Sequence, residues 1–133
     1  ITMPNADTMG NIIRDHLDHF IVNNYNAFCV ESFGSLGYLS CMKYCSFILG
    51  NSSSGFVEAS WFPKAVINVG NRQQGRILTS NIKSCAINNK EILQAIHEIE
   101  NNRVQTVDQI YGDGKAAGRI ISLIKNSFNS DND

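Results

Sequence analysis

Apolar and polar positions along the 133-residue chain recur with two periods, and their succession predicts the order of elements. Short runs rich in β-branched and other apolar residues, at 1–3, 27–30, 47–49, 65–69 and 82–87, read as strands. Between them, apolar positions recur three and four residues apart. Ile12, Ile13, Leu17, Phe20 and Ile21 mark one helix, and Ile92, Leu93, Ile96 and Ile99 mark another. A last helix over 115–125 turns Ala116, Ile120, Ile121 and Ile124 inward, and shorter helices are predicted at 38–45 and 56–61. Strands alternating with helices indicate βα units and a mainly parallel sheet. The predicted fold class is α/β: a Rossmann-like three-layer α/β/α domain over 1–126, with about four or five strands, helices on both faces and a polar tail at 127–133.

Capping and breaking residues fix the element ends. Asp7 or Thr8 can cap the first helix, and Asn23 and Asn24 close it. Asn88 or Asn89 caps the helix that carries Glu91 in its first turn. Pro4 and Pro63 break regular structure, and Gly112-Asp113-Gly114 reads as a turn. Residues 31–37, 68–75 and 101–110 are left as polar connections.

Composition narrows the function classes. Hydrophobic residues make up 43% of the chain and the formal net charge is −1, as for one globular domain with one core. No apolar run reaches the roughly 20 residues of a membrane helix, and no basic stripe marks a nucleic-acid footprint. Neither membrane nor nucleic acid is predicted as a partner. Cys29, Cys41, Cys45 and Cys85 contain no Cys-x-x-Cys pair, so they read as buried thiols in a reducing, cytoplasmic setting rather than as metal ligands. The chain begins at Ile1, inside an apparent strand. It reads as part of a longer protein that lacks its first βα unit here, with an exposed strand edge that invites association.

In open parallel sheets the ligand lies beyond the carboxyl ends of the strands, which directs attention to the loops that follow them. Gly50-Asn51-Ser52-Ser53-Ser54-Gly55 follows the third strand. Small hydroxyl residues and glycine at a helix start offer backbone N–H groups, hydroxyls and a positive dipole end to an oxyanion; an ordinary N-cap is the alternative. Glu58, on the next turn, can accept hydrogen bonds from a sugar diol or simply compensate the helix dipole. Arg72 and Arg76 flank a polar loop, where planar guanidiniums suit phosphate or carboxylate, against the alternative of a solvated loop. His16, His19 and His97 read as helix-surface residues. No triad, metal site or cofactor site is predicted.

Four segments, Met3–Thr8, Gly50–Ala59, Val66–Arg76 and Tyr111–Ala116, resemble in order and spacing the UDP-N-acetylglucosamine 2-epimerases. The hydrolysing type, used in sialic and related nonulosonic acid synthesis, is the nearest in pattern. The resemblance covers nearly the whole chain. It implies the C-terminal half of a glycosyltransferase-B-type fold, with UDP or a UDP-N-acetylhexosamine as ligand. Ser52 and Ser53 would hold the diphosphate, Glu58 the ribose hydroxyls, Asn5 would approach the nucleotide, and Arg72 would face the phosphate or sugar. The loop at Phe33 and Gly34 would lie by the uracil. The family's chemistry eliminates UDP and adds water to the resulting glucal to give N-acetylmannosamine. Its acid–base carboxylates belong to an N-terminal domain, so no catalytic residue is expected in this chain and the isolated piece is expected to be inactive. Intact members are homo-oligomers. Two departures stand out: the family's histidine-proline loop has no counterpart here, and Pro63 and Ala65 stand where glycine and proline are usual. A non-catalytic nucleotide-sugar-binding module and a glycosyltransferase C-terminal domain are the competing readings on the same fold.

Overall fold

The computed structural model describes residues 1–4, 9–102, 104, 108 and 110–130. They divide into two compact units, Ile1–Cys41 and Met42–Asp133.

In the first unit, the predicted strands at 1–3 and 27–30 meet in one parallel bridge, Thr2 to Val30. Val30 N donates to Ile1 O at 3.0 Å and Met3 N to Val30 O at 3.2 Å, the slanted alternation of a parallel ladder. The direction is as predicted; the length is not. Helix α1 (Gly10–Val22) begins behind Met9, which has φ 74 and supplies no side-chain cap. The expected caps Asp7 and Thr8 lie outside the described residues. At the other end the predicted asparagines do close the helix. Asn23 Nδ2 donates to His19 O at 2.8 Å and Asn24 Nδ2 to Phe20 O at 2.7 Å. Arg14 makes a two-pronged ion pair with Glu31 at 2.6 and 3.0 Å. Helix α2 (Gly34–Tyr44) starts at Gly34 rather than Tyr38. Ser32 Oγ accepts from Gly34 N at 3.1 Å, and Gly34 adopts φ 61, a conformation only glycine takes without strain. This local turn extends the helix into the segment read as a loop.

The second unit holds the sheet. Strands β1 (Phe47–Gly50), β2 (Ala65–Val69) and β3 (Ile82–Cys85) are all parallel, in the order β1-β2-β3. Register aligns Gly50 with Asn68 and Asn68 with Ser84. β2 is central and its Ala65, Val66, Ile67 and Asn68 are all buried. The apolar part of this run, Ala65 to Ile67, is what a strand covered on both faces requires. Phe56, Ala59 and Ala95, with Met42, are the other buried apolar residues of this unit among those described. Helix α3 (Asn89–Asn101) packs on β2 and β3 and is tied to β3 by a Lys83–Glu98 ion pair at 2.6 Å. The result is a parallel open sheet flanked by helices, a Rossmann-like α/β arrangement, with three hydrogen-bonded strands among the described residues where four or five were expected.

Three further expectations are corrected. The helix predicted at 56–61 is instead a pair of 3₁₀ turns, Ser53–Gly55 and Glu58–Trp61. Gly55 lies so close to β2 that a Cβ there would stand 2.9 Å from Val66 Cγ1, and the tighter turns fit that short crossing. The exit at Pro63, where the sequence departs from its resemblance, is a turn in which Lys64 N donates to Phe62 O at 2.7 Å. This three-residue closure matches an inverse γ-turn, whose central φ proline already supplies. Helix α4 (Ala116–Ser130) runs past Lys125, and its apolar positions are not inward: Ile120, Ile121 and Ile124 are 55%, 53% and 50% exposed. No element among the described residues covers that face. No disulfide links the cysteines among the described residues, and none is buried as expected, because the elements that carry them are only partly covered: Cys41 is exposed, and Cys29, Cys45 and Cys85 are half-buried, the Cys45 thiol donating to Met42 O at 3.3 Å.

Candidate functional site

Because the strands run parallel, the segments that leave β1 and β2 emerge at one edge of the sheet. The serine turn leaves β1. Ser52 has an extended backbone, φ −76 and ψ 146, and acts as N-cap, its Oγ accepting from Ser54 N at 3.3 Å. Ser52 Oγ also lies 3.0 Å from Ser54 Oγ. The turn then closes through Gly55 N to Ser52 O at 3.3 Å and Phe56 N to Ser53 O at 3.0 Å. Ser54, Gly55 and Phe56 are buried, whereas Asn51, Ser52 and Ser53 are exposed. The inner half anchors the turn, and the outer half presents hydroxyls to solvent. Since a 3₁₀ turn replaces the helix, a long helix dipole does not contribute. Any attraction for an anion comes from local hydroxyl and backbone groups and from nearby cations.

Those cations sit on the loop that leaves β2. Gly70, at φ 79, continues the sheet by donating to Cys85 O at 2.8 Å, and the chain then turns twice through Gln74 N to Asn71 O and Arg76 N to Gln73 O. Arg72 and Arg76 are exposed, but Gln73 between them is 9% exposed. Its Nε2 donates to Asn51 O at 2.8 Å, and its Oε1 accepts from Arg76 Nε at 2.7 Å. Gln73 thereby ties the arginine loop to the serine turn.

Glu58 opens the second 3₁₀ turn, half-buried, a few residues beyond the serines. At the end of β2, Asn68 is 5% exposed. Its Nδ2 donates to Ser84 Oγ at 3.1 Å, while its Oδ1 has no hydrogen-bond partner among the described residues. A buried acceptor left in this way costs stability, and here it stands near the carboxyl end of the central strand. Beyond β3, burial pushes the Cys85 thiol above its ordinary range. Glu91 receives Ala86 N at 2.8 Å and Asn88 Nδ2 at 3.0 Å, and these bonds hold its carboxyl below the usual carboxylate range.

Of the residues singled out from sequence, Ser52, Ser53, Glu58 and Arg72 all lie in the second unit, with the serine turn and the arginine loop physically joined. Asn5 lies outside the described residues. Phe33 and Gly34 belong to the first unit, where Gly34 is the first residue of α2 and Phe33 immediately precedes it. His16, His19 and His97 are exposed on their helices. No cluster of metal-ligating side chains occurs among the described residues, nor any helix long and apolar enough to cross a membrane. The residue that sequence reasoning missed is Gln73. A glutamine in a polar loop carries no periodic signal of burial, and its role depends on Asn51, which is distant in sequence.

Comparison with known proteins adds an independent line. Residues 1–125 match the family model described as UDP-N-acetylglucosamine 2-epimerase. Over 92% of its length the chain is 32% identical to the UDP-N,N'-diacetylbacillosamine 2-epimerase (hydrolyzing) of Legionella pneumophila, covering 32% of that protein. Over 75% of its length it is 39% identical to the GDP/UDP-N,N'-diacetylbacillosamine 2-epimerase (hydrolyzing) of Campylobacter jejuni, covering 26% of it. It is also 30% identical over 96% of its length to the polysialic acid biosynthesis protein P7 of Escherichia coli, covering 34% of that protein. The chain thus spans a third or less of the length of the first two of these relatives, and about a third of the last.

Proposed function

The chain belongs to the UDP-N-acetylglucosamine 2-epimerase family, and from that premise we propose that it is the UDP-binding part of a hydrolysing epimerase acting on a UDP-N-acetylhexosamine. The observation that carries this reading is the joined edge of the sheet, where exposed Ser52 and Ser53 stand on a turn bonded through Gln73 to the loop of Arg72 and Arg76. Hydroxyls and guanidiniums on one edge suit a diphosphate. Glu58, on the following turn, accepts the ribose hydroxyls, and Asn5 approaches the nucleotide from the first loop.

In this reading the site's chemical task is to carry negative charge. The C2 proton leaves as the C1–O bond to UDP breaks, giving a 2-acetamidoglucal. Water then adds across the double bond to yield N-acetylmannosamine. Charge builds on the departing diphosphate, so preorganised donors from Ser52, Ser53 and Arg72 lower the barrier to bond cleavage. No group in this chain is assigned the proton transfers. Those carboxylates are assigned to the remaining length that the relatives possess, so this chain alone binds without turnover. The intact protein is assigned as a cytoplasmic homo-oligomer.

A diacetamido sugar is the second reading, favoured by the names of the Legionella and Campylobacter relatives. Assay of the full-length protein with UDP-N-acetylglucosamine and with UDP-N,N'-diacetylbacillosamine, without acceptor, tests both. Release of free UDP together with the 2-epimeric free sugar is the expected result. Transfer of the sugar to an acceptor, or binding with no turnover of either donor, would overturn the hydrolytic reading.

A further inference from the structure

The strap made by Gln73 reaches further than the list of ligand-facing residues. Gln73 is nearly buried inside an otherwise exposed loop, and both ends of its amide are used. Its donor end meets the carbonyl of Asn51, the residue immediately before the two exposed serines. Its acceptor end meets Nε of Arg76, leaving the terminal nitrogens of that guanidinium to point elsewhere. One planar amide therefore fixes the backbone entering the serine turn and the orientation of a cation on the neighbouring loop. Two loops that leave different strands otherwise have independent freedom, and a diphosphate held between them would have to order both. An amide that orders them beforehand lowers that cost. The alternative is plain loop stability. It accounts for the bond to Asn51 but gives no reason for the second bond to end on a charged, exposed side chain.

We propose that Gln73 is a positioning residue for the diphosphate, holding the Ser52–Ser53 turn and the Arg76 guanidinium in one frame without touching the ligand. The inference rests on the UDP-binding reading above and assigns within it how the phosphate half is preorganised. Arg76, through this contact, joins Arg72 as a cation of the site.

The test compares UDP with uridine, which lacks the phosphates, on the full chain and on two variants. Gln73→Met keeps the side-chain length and removes both bonds. Gln73→Glu keeps the acceptor for Arg76 and loses the donor to Asn51, and it replaces the first variant should that one not fold. The expected result is a loss of about tenfold or more in UDP affinity with uridine affinity unchanged, a split that general loosening of the fold would not produce. Equal UDP affinity in wild type and variants would overturn the proposal while leaving the UDP reading intact. Equal loss for UDP and uridine would also overturn it, in favour of simple stability. If the wild type itself does not bind UDP, the functional reading fails instead. Amide hydrogen exchange over 52–57 in the ligand-free protein then decides the strap, faster exchange in Gln73→Met supporting it and unchanged exchange overturning it.

Discussion

Gly55 shows how tightly single residues constrain the serine turn. A Cβ at this position would come within 2.9 Å of Val66 Cγ1, and Val66 is a buried, β-branched residue on the central strand with little room to yield. Gly55→Ala should therefore cost about 1–3 kcal/mol, as overpacking does, and push the serine turn away from the sheet. Chemical denaturation of the variant checks this, and an unchanged midpoint would show that the turn is not seated on β2 as described. At this scale the sequence was readable where chemistry is local. Ser52 is the N-cap that a small hydroxyl after a strand offers, its Oγ accepting from Ser54 N. Gln73 and the orphaned Asn68 were not readable, since their surroundings come from Asn51 and Ser84, which only the fold brings near.

Among the elements, β2 was legible to the residue, because Ala65–Val69 is a β-prone run that suits a doubly covered strand. The segment after the serine turn was not. Its apolar residues, Phe56 and Ala59 among them, fit a helical pattern, but close approach to the sheet and the exit at Pro63 shorten it to 3₁₀ turns. Helix α3 was legible from its cap. Asn88 Oδ1 accepts from Glu91 N at 2.9 Å while the Glu91 carboxylate returns to Asn88 Nδ2 and Ala86 N. Replacing Asn88 by Ala should cost roughly 1 kcal/mol in unfolding free energy. Glu91 also sets a pH dependence. Its folded pKa is lowered from 4.5, so its contribution is present above that value and fades as pH falls through the lower folded pKa. The stability gap between wild type and Glu91→Gln, followed by thermal melts from pH 7 down to about 3, should close in that acid range. A gap that stays constant would mean the carboxylate bonds do not persist in solution.

For the whole molecule, the α/β class and parallel direction follow from alternating strand and helix patterns, whereas the exposure of the apolar positions of α4 could not be read from its amphipathic sequence. Periodicity tells which residues share a face of a helix; it does not tell whether this chain supplies anything to lie on that face. Among the described residues, β1 and β3 each pair only with β2, so the sheet has open edges on both sides. Open edges together with the exposed α4 face should drive concentration-dependent association, which size-exclusion chromatography across a dilution series would detect; a monomer at every concentration would contradict this. The central claim, that the serine turn and arginine loop form a UDP site, is tested most directly by thermal melting of the chain with UDP. At a ligand concentration of 100 times the dissociation constant, UDP should add about 2.7 kcal/mol and raise the midpoint by several degrees, with most of that gain lost in a Ser52→Ala, Ser53→Ala double variant. No shift at millimolar UDP, or an equal shift in the double variant, would contradict it.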